Sequence, residues 1–154
     1  MKSGFSLIEL VIVIALIGVI TGLMLPRLRK RETSVGQDFI VRLNAFVQEG
    51  AQAALQTSHA QTITFNFASN TIERSPEQGR MTMPSELEFT DIVINGESQL
   101  ATGKVTKTFF YILPDGTAQE VRILFVDHEQ EKLLPNSGNY ELVLNPFTVQ
   151  FKLL

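Results

Sequence analysis

The pattern of apolar and polar residues divides the chain into one long apolar run, one amphipathic segment and several alternating segments. The run covers residues 5–25 and carries a single charge, Glu9. As a helix it would be roughly 31 Å long, about the thickness of the bilayer hydrocarbon. A run of this length in lipid must satisfy its own backbone hydrogen bonds, as a helix does. The sequence therefore predicts a membrane-spanning helix, which we assign to residues 5–30.

A second helix is predicted from about Gln37 to Gln56, within a stalk segment that we assign to residues 31–56. Apolar or small residues recur there at helical spacing, at Phe39, Leu43, Phe46, Val47, Gly50, Ala54 and Leu55. This spacing indicates one apolar face, which we expect a β-sheet to cover. Gly36, in the polar stretch before this helix, is the candidate joint.

Residues 57–154 change to a two-residue period, which is typical of half-buried antiparallel strands. The alternating apolar positions are Ile63/Phe65/Phe67, Val121/Ile123/Phe125 and Phe147/Val149/Phe151/Leu153. Residues 91–94 and 107–113 are further candidate strands, and 95–96 and 114–116 are turn signals. The predicted class is α+β, with a long N-terminal transmembrane or assembly helix followed by an antiparallel β-sheet globular domain.

Charge separates the two parts of the chain. From residue 33 onward there are eight basic and fourteen acidic residues, a net charge of −6. A phosphate backbone is bound by clustered Lys and Arg, so we expect no nucleic-acid partner. The chain contains no Cys, which excludes disulfides, thiolate metal sites and Cys nucleophiles.

No group of residues has the spacing of a catalytic site. His59 and His128 are interpreted as isolated surface residues. Asp127, Glu129 and Glu131 could attract Ca²⁺, but they lack the glycine and the alternating ligands of a calcium loop. We therefore interpret them as a solvated acidic turn. The sequence has no phosphate loop, nucleophile elbow or dinucleotide fingerprint. No enzymatic activity, cofactor, metal or small-molecule ligand is expected.

The N-terminus resembles the type IV prepilin motif. Residues 2–10, KSGFSLIEL, combine a short basic leader, a glycine, a phenylalanine and then a glutamate at the start of a long apolar run. The resemblance implies that residues 1–4 are a leader and that a prepilin peptidase cuts between Gly4 and Phe5. It also implies that the new amine of Phe5 is N-methylated, and that Glu9 pairs with the terminal amine of a neighbouring subunit.

The chemistry of these residues agrees with that reading. Gly4 has no side chain, so a protease can approach the bond closely. Glu9 lies about one helical turn from Phe5 on the same face. An amine and a carboxylate are each costly in apolar surroundings, and pairing offsets that cost. The alternative for Glu9 is a place among lipid headgroups with no role. Pro26 either kinks the helix or ends it at the membrane border.

Two features of the sequence predict opposite directions of membrane insertion. Four basic residues follow the run, whereas Lys2 and the amine precede it, and the positive-inside rule alone would place the C-terminal domain in the cytoplasm. The prepilin resemblance implies the reverse, because the leader is cut on the cytoplasmic side. No small-residue cleavage site follows the run, which argues against an ordinary secretory signal. We expect a single-pass inner-membrane protein with a periplasmic globular domain.

The later residues resemble the H-type minor pseudopilins of type II secretion and the related minor pilins. The similar stretches are 43–54, the Thr-Ile-Thr-Phe at 62–65 and the Pro-Asp-Gly-ended strand 109–116. This resemblance implies a structural minor subunit of a pseudopilus that supports secretion across the outer membrane. Its expected partners are other pseudopilins or pilins through the N-terminal helix, the prepilin peptidase and the inner membrane. The alternative is a minor pilin of a type IV pilus, active in pilus assembly or DNA uptake.

Overall fold

The computed structural model describes residues 7–24, 34–76, 79–100, 103, 105–133 and 137–154, and the chain divides into two units, Met1–Glu32 and Thr33–Leu154. In the first unit, α1 spans Leu7–Met24. By the usual length and hydropathy criteria, none of the described helices qualifies as a membrane span. Residues 5–6 and 25–30 of the predicted helix lie outside the described residues, so membrane spanning stays a prediction from the sequence.

The second unit begins with helix α2, Val35–Thr57. Ser34 is its N-cap, because the Ser34 hydroxyl accepts a hydrogen bond from the Gln37 N–H at 3.2 Å. The helix ends where Ser58 adopts a left-handed conformation, with φ of 55°. Its buried face consists of Gly36, Phe39, Leu43, Phe46, Val47, Gly50, Ala51 and Ala54. The predicted face is therefore present, except that Leu55 is 56% exposed.

Two antiparallel sheets follow, with strands numbered in chain order. The first has the order β3-β2-β1-β6, with β1 Gln61–Asn66, β2 Thr71–Ser75, β3 Gly79–Thr82 and β6 Lys107–Ile112. The second has the order β5-β4-β7-β8-β9, with β4 Leu87–Ile94, β5 Glu97–Ser98, β7 Val121–Asp127, β8 Asn139–Asn145 and β9 Gln150–Leu153. A short helix, α3, spans His128–Leu133 between β7 and β8.

Helix α2 contacts strands of both sheets, namely β1 and β6 of the first and β7 and β9 of the second. The apolar residues that alternate along these strands join the buried face of α2 in a single core. The predicted α+β arrangement, a helix followed by antiparallel strands, is therefore present, with two sheets in place of one.

The last predicted strand was wrong at its start. The sequence alternation placed Phe147 and Val149 in a strand, but β9 begins only at Gln150. The Asn145 carboxamide oxygen accepts hydrogen bonds from the Phe147 and Thr148 N–H groups at 2.9 and 3.2 Å. This Asx turn interrupts the extended backbone, so Phe147 is 82% exposed and Val149 adopts a φ of 48°.

Phe67 was likewise predicted to continue the first strand. Strand β1 ends at Asn66, and Phe67 lies in the turn that follows it. The Phe67 ring still packs against Phe65 and Phe89, with centroid separations of 6.5 and 6.0 Å. An apolar residue can thus join the core from a turn, which periodicity alone does not distinguish from a strand position.

Both predicted turns are present. Asn95 and Gly96 have φ of 51° and 85° between β4 and β5, as a tight hairpin turn requires. Gly116 has a φ of 81° in the turn after β6. There the Thr117 N–H and hydroxyl both donate to Asp115 Oδ1, at 2.9 and 2.7 Å. These hydrogen bonds favour the ionised form and lower the pKa of the Asp115 carboxyl below its usual range.

Replacing Phe39 tests the packing of α2. Its fully buried ring meets Phe89 and Phe125 edge to face, each at a centroid separation of 5.6 Å. Phe39→Ala should lower the free energy of unfolding by about 3–5 kcal/mol, because it leaves a cavity between helix and sheet. Val41→Ala, on the exposed side of the same helix, is the control and should change it by less than about 0.5 kcal/mol. Thermal unfolding followed by circular dichroism measures both, and equal losses would contradict the assigned face.

Candidate functional site

The residues of the predicted processing site fall at the edge of what the structure describes. Gly4 and Phe5 lie outside the described residues, and Glu9 belongs to helix α1. The predicted cleavage, methylation and pairing roles of these three residues therefore stay predictions.

Helix α1 presents an unusual amount of apolar surface. Nine aliphatic side chains between residues 7 and 17 are exposed by 47% to 81%, namely Leu7, Ile8, Leu10, Val11, Ile12, Val13, Ile14, Leu16 and Ile17. Burying one such side chain stabilises a protein by about 1.5–3 kcal/mol. Covering these side chains with apolar groups would therefore be strongly favourable.

In the second unit, a network of hydrogen bonds holds the first turn of α2 against the second sheet. The Gly36 N–H donates to Asp127 Oδ2 at 2.9 Å. The Ser34 hydroxyl lies 2.8 Å from the Tyr140 hydroxyl, which in turn donates to Gln130 Oε1 at 2.7 Å. The network fixes where α2 begins, at Val35.

Asp127 is the centre of this network, and its predicted place in a solvated acidic turn was wrong. It ends β7 and is fully buried. While Oδ2 accepts from α2, Oδ1 accepts from the Glu129 and Gln130 N–H groups of α3, both at 3.1 Å. One carboxylate thus accepts hydrogen bonds from the first turns of two helices.

Gly36 was predicted to be a joint, but it lies inside the first turn of α2 and is buried. A Cβ atom there would meet Tyr140 Cε2 at 2.8 Å and Asp127 Oδ2 at 3.3 Å. The absence of a side chain is therefore needed for close approach to the sheet rather than for a hinge.

The C-terminal strand is closed by side chains of α2. The Asn44 amide donates to the Phe151 carbonyl at 3.0 Å, and Asn44 Oδ1 accepts from the Phe151 N–H at 2.6 Å. Gln48 Nε2 donates to the Thr148 and Val149 carbonyls at 2.6 and 2.8 Å. These amides take the place of a neighbouring strand, so this edge is not open for pairing with another chain.

The two histidines differ in their surroundings. His59 is exposed at the junction of α2 and β1, with Nδ1 2.6 Å from the Thr57 carbonyl oxygen. His128 does not stand alone as predicted, because its Nε2 lies 2.8 Å from Glu88 Oε2 and its Nδ1 lies 3.5 Å from Glu131 Oε2. Within the described part of the chain, no three potential His, Cys, Asp or Glu ligands are grouped for a metal ion.

Sequence reasoning missed most of these contacts between α2 and the second sheet. Ser34 and Gln37 have the spacing of a capping box, a signal that could have found the start of α2. Asp127, Tyr140 and Asn44 carry no such local signal, because their partners are distant in the chain.

The N-terminus has a match among known families. Residues 1–25 match the family described as "Prokaryotic N-terminal methylation motif". No curated protein and no solved structure matches the chain. The motif is that of type IV prepilin-like proteins, so the chain carries the N-terminal signature that pilins and pseudopilins share.

Replacing Asp127 tests the double cap. Asp127→Ala leaves three N–H groups without an acceptor, one of them buried and two partly buried, and should lower the free energy of unfolding by at least about 2 kcal/mol. Asp127→Asn keeps one acceptor oxygen and should lose an intermediate amount. Asp38 lies in the first turn of α2, which the Asp127 carboxylate caps, but its side chain is 59% exposed in an ion pair with Arg42. Asp38→Ala is therefore the control and should lower the free energy of unfolding by less than about 1 kcal/mol. Thermal unfolding measures all three variants. Equal losses of stability in Asp127→Ala and Asp38→Ala would contradict the capping role of Asp127.

Proposed function

We propose that the chain is a structural minor subunit of a type II secretion pseudopilus, which supports protein secretion across the outer membrane. The observation that carries the proposal is the N-terminal methylation motif at residues 1–25. The matched residues include helix α1, whose aliphatic side chains are exposed. A helix followed by antiparallel strands is compatible with a pilin-like globular domain. The resemblance of residues 43–54, 62–65 and 109–116 to H-type pseudopilins favours secretion over the other filaments that use this N-terminus.

In this proposal, the N-terminal segment has two successive states. The peptidase removes residues 1–4 and methylates Phe5, while the apolar helix holds the subunit in the inner membrane with residues 33–154 in the periplasm. During assembly, the helices of neighbouring pseudopilins replace lipid around the exposed side chains of α1. Because both environments are apolar, the transfer involves little change in hydrophobic free energy.

Glu9 supplies the register in this proposal. A carboxylate within an apolar segment costs about 2–3 kcal/mol on insertion scales. The methylated amine of a neighbouring Phe5 offsets that cost only where the two groups meet. Apolar packing tolerates many alignments of two helices, whereas this ion pair favours one.

The globular domain has a structural role in the proposal, with no catalytic one. Its net charge of −6 and a tail, residues 145–154, whose only basic residue is Lys152 also favour protein partners over DNA. We therefore rank the DNA-uptake pilin below the secretion pseudopilin.

The processing step can be tested directly. Membrane-bound protein from the native host should begin at Phe5 with a methylated amine, as measured by intact mass. Gly4→Leu should accumulate as the full-length precursor, because a side chain obstructs the scissile bond. Gly18→Leu, a matched change inside the apolar run, should still be processed. A mature protein that begins after Leu25, or that retains Met1, would contradict the prepilin reading.

The filament role can be tested with Glu9→Ala in the native host. The variant should reach the membrane at the normal level, because it removes a charge from an apolar run. Without the ion pair it should fail to enter filaments, and secretion of exoproteins should fall to the level of the gene deletion. Glu9→Asp, which keeps the charge, should retain part of the secretion.

Two results would contradict the proposal in different ways. Normal amounts of Glu9→Ala in purified filaments would refute the register role of Glu9. Normal secretion in the deletion strain, together with loss of pilus-dependent motility or DNA uptake, would refute the secretion role and support the type IV pilus alternative.

A further inference from the structure

The two sheets leave a groove between their edges. Strand β6 is an outer strand of the first sheet, and β5 is an outer strand of the second. A groove of about 330 Å³ lies there, with Phe109 and Tyr111 from β6 on one side. On the other side are Ile94, Asn95, Glu97 and Gln99 from the β4–β5 hairpin and the residue after it. Gln119 contributes to the lining as well.

The β6 wall carries a row of exposed apolar side chains. Phe109, Tyr111 and Leu113 are 50%, 40% and 43% exposed, while the alternate residues Phe110 and Ile112 are fully buried. The Phe109 and Tyr111 rings meet edge to face at a centroid separation of 5.5 Å. Contiguous exposed apolar side chains mark interaction surfaces in soluble domains.

The backbone of β6 is available beside the groove at its Phe109 end. Tyr111 directs its N–H and carbonyl away from β1, toward the Gln119 side-chain oxygen at 2.8 Å and the Gln119 N–H at 3.1 Å. Because these directions repeat every two residues, Phe109 presents its N–H and carbonyl to the same open side. Residues 117–119 already pair with the other end of this edge, because Ile112 and Ala118 form an antiparallel bridge and the Leu113 N–H donates to the Thr117 carbonyl at 2.7 Å. Among the described residues, none pairs with the outward N–H and carbonyl of Phe109. The β9 edge, by contrast, is closed by Asn44 and Gln48.

The charge of the groove indicates which side chains a bound segment would carry. Among the described residues that line it, Glu97 is the only charged one, and it is exposed. Unsatisfied backbone groups on a strand edge are matched by another extended polypeptide. A Lys or Arg of that polypeptide would complement Glu97.

We propose that this groove binds an extended segment of a partner protein, which adds beside β6, packs apolar side chains on Phe109 and Tyr111, and directs a basic side chain to Glu97. This inference goes beyond the filament proposal. It depends on residues 33–154 only and holds whichever filament the chain joins.

The test uses the full chain in detergent micelles and two fluorescent peptides of about nine residues, long enough for one strand. Both alternate threonine and valine, and they differ only in a central lysine or glutamate. Fluorescence polarisation should show the lysine peptide binding at least about tenfold more tightly. Glu97→Lys should reverse this preference, a result that loss of folding cannot produce.

Phe109→Ser should weaken binding of the lysine peptide by about tenfold or more, since it removes an apolar anchor. Phe147→Ser is the matched control, because Phe147 is 82% exposed and does not line the groove. It should leave binding unchanged. Circular dichroism should show both variants folded, because both rings are exposed.

Three results would overturn the proposal. The first is no binding of either peptide, or equal binding of both, by the unsubstituted chain. The second is unchanged binding by folded Phe109→Ser. The third is concentration-dependent self-association that Phe109→Ser abolishes, measured by sedimentation, which would assign the surface to a second copy of this chain.

Discussion

The packing of α2 across both sheets is the constraint on which the rest of the globular domain depends. One helical face touches β1 and β6 of the first sheet and β7 and β9 of the second, so a single core serves both. Gly50 belongs to that face, and the helix approaches the first sheet closely there. A Cβ at this position would lie 3.0 Å from Ile112 Cδ1 and 3.3 Å from Arg74 Cδ. Close packing of this kind leaves little room for α2 to shift along the sheets.

The polar contacts follow from where α2 lies. Its first turn is close to the end of β7, so the buried Asp127 carboxylate can accept from Gly36 while it caps α3. Further along, Asn44 meets the backbone of β9. Buried backbone groups must find partners, and side chains supply them where the helix passes. The outer edge of β6 is covered from Tyr111 to Leu113 by residues 117–119, whereas no described residue pairs with the backbone of Phe109 on that side.

The two units of the chain have opposite relations to their surroundings. The second unit buries 24 of its described hydrophobic residues in one core, whereas the aliphatic side chains described in α1 are exposed. Covering the exposed side chains of α1 with apolar groups would be favourable. The match at residues 1–25, the motif of type IV prepilin-like proteins, includes this helix.

The sequence by itself determined the features that depend on neighbouring residues: the apolar run of α1, the helical period of α2, several strands, both turns and the N-terminal motif. It did not determine the two-sheet arrangement, the burial of Asp127 or the open edge of β6. Asp127 shows the reason, since beside Glu129 and Glu131 it has the local pattern of a solvated turn, and its partner Gly36 lies 91 residues earlier. Phe147 shows the converse, because alternation suggested a strand that the Asn145 side chain interrupts. Local patterns fix secondary structure, whereas burial and edge exposure depend on which distant elements meet.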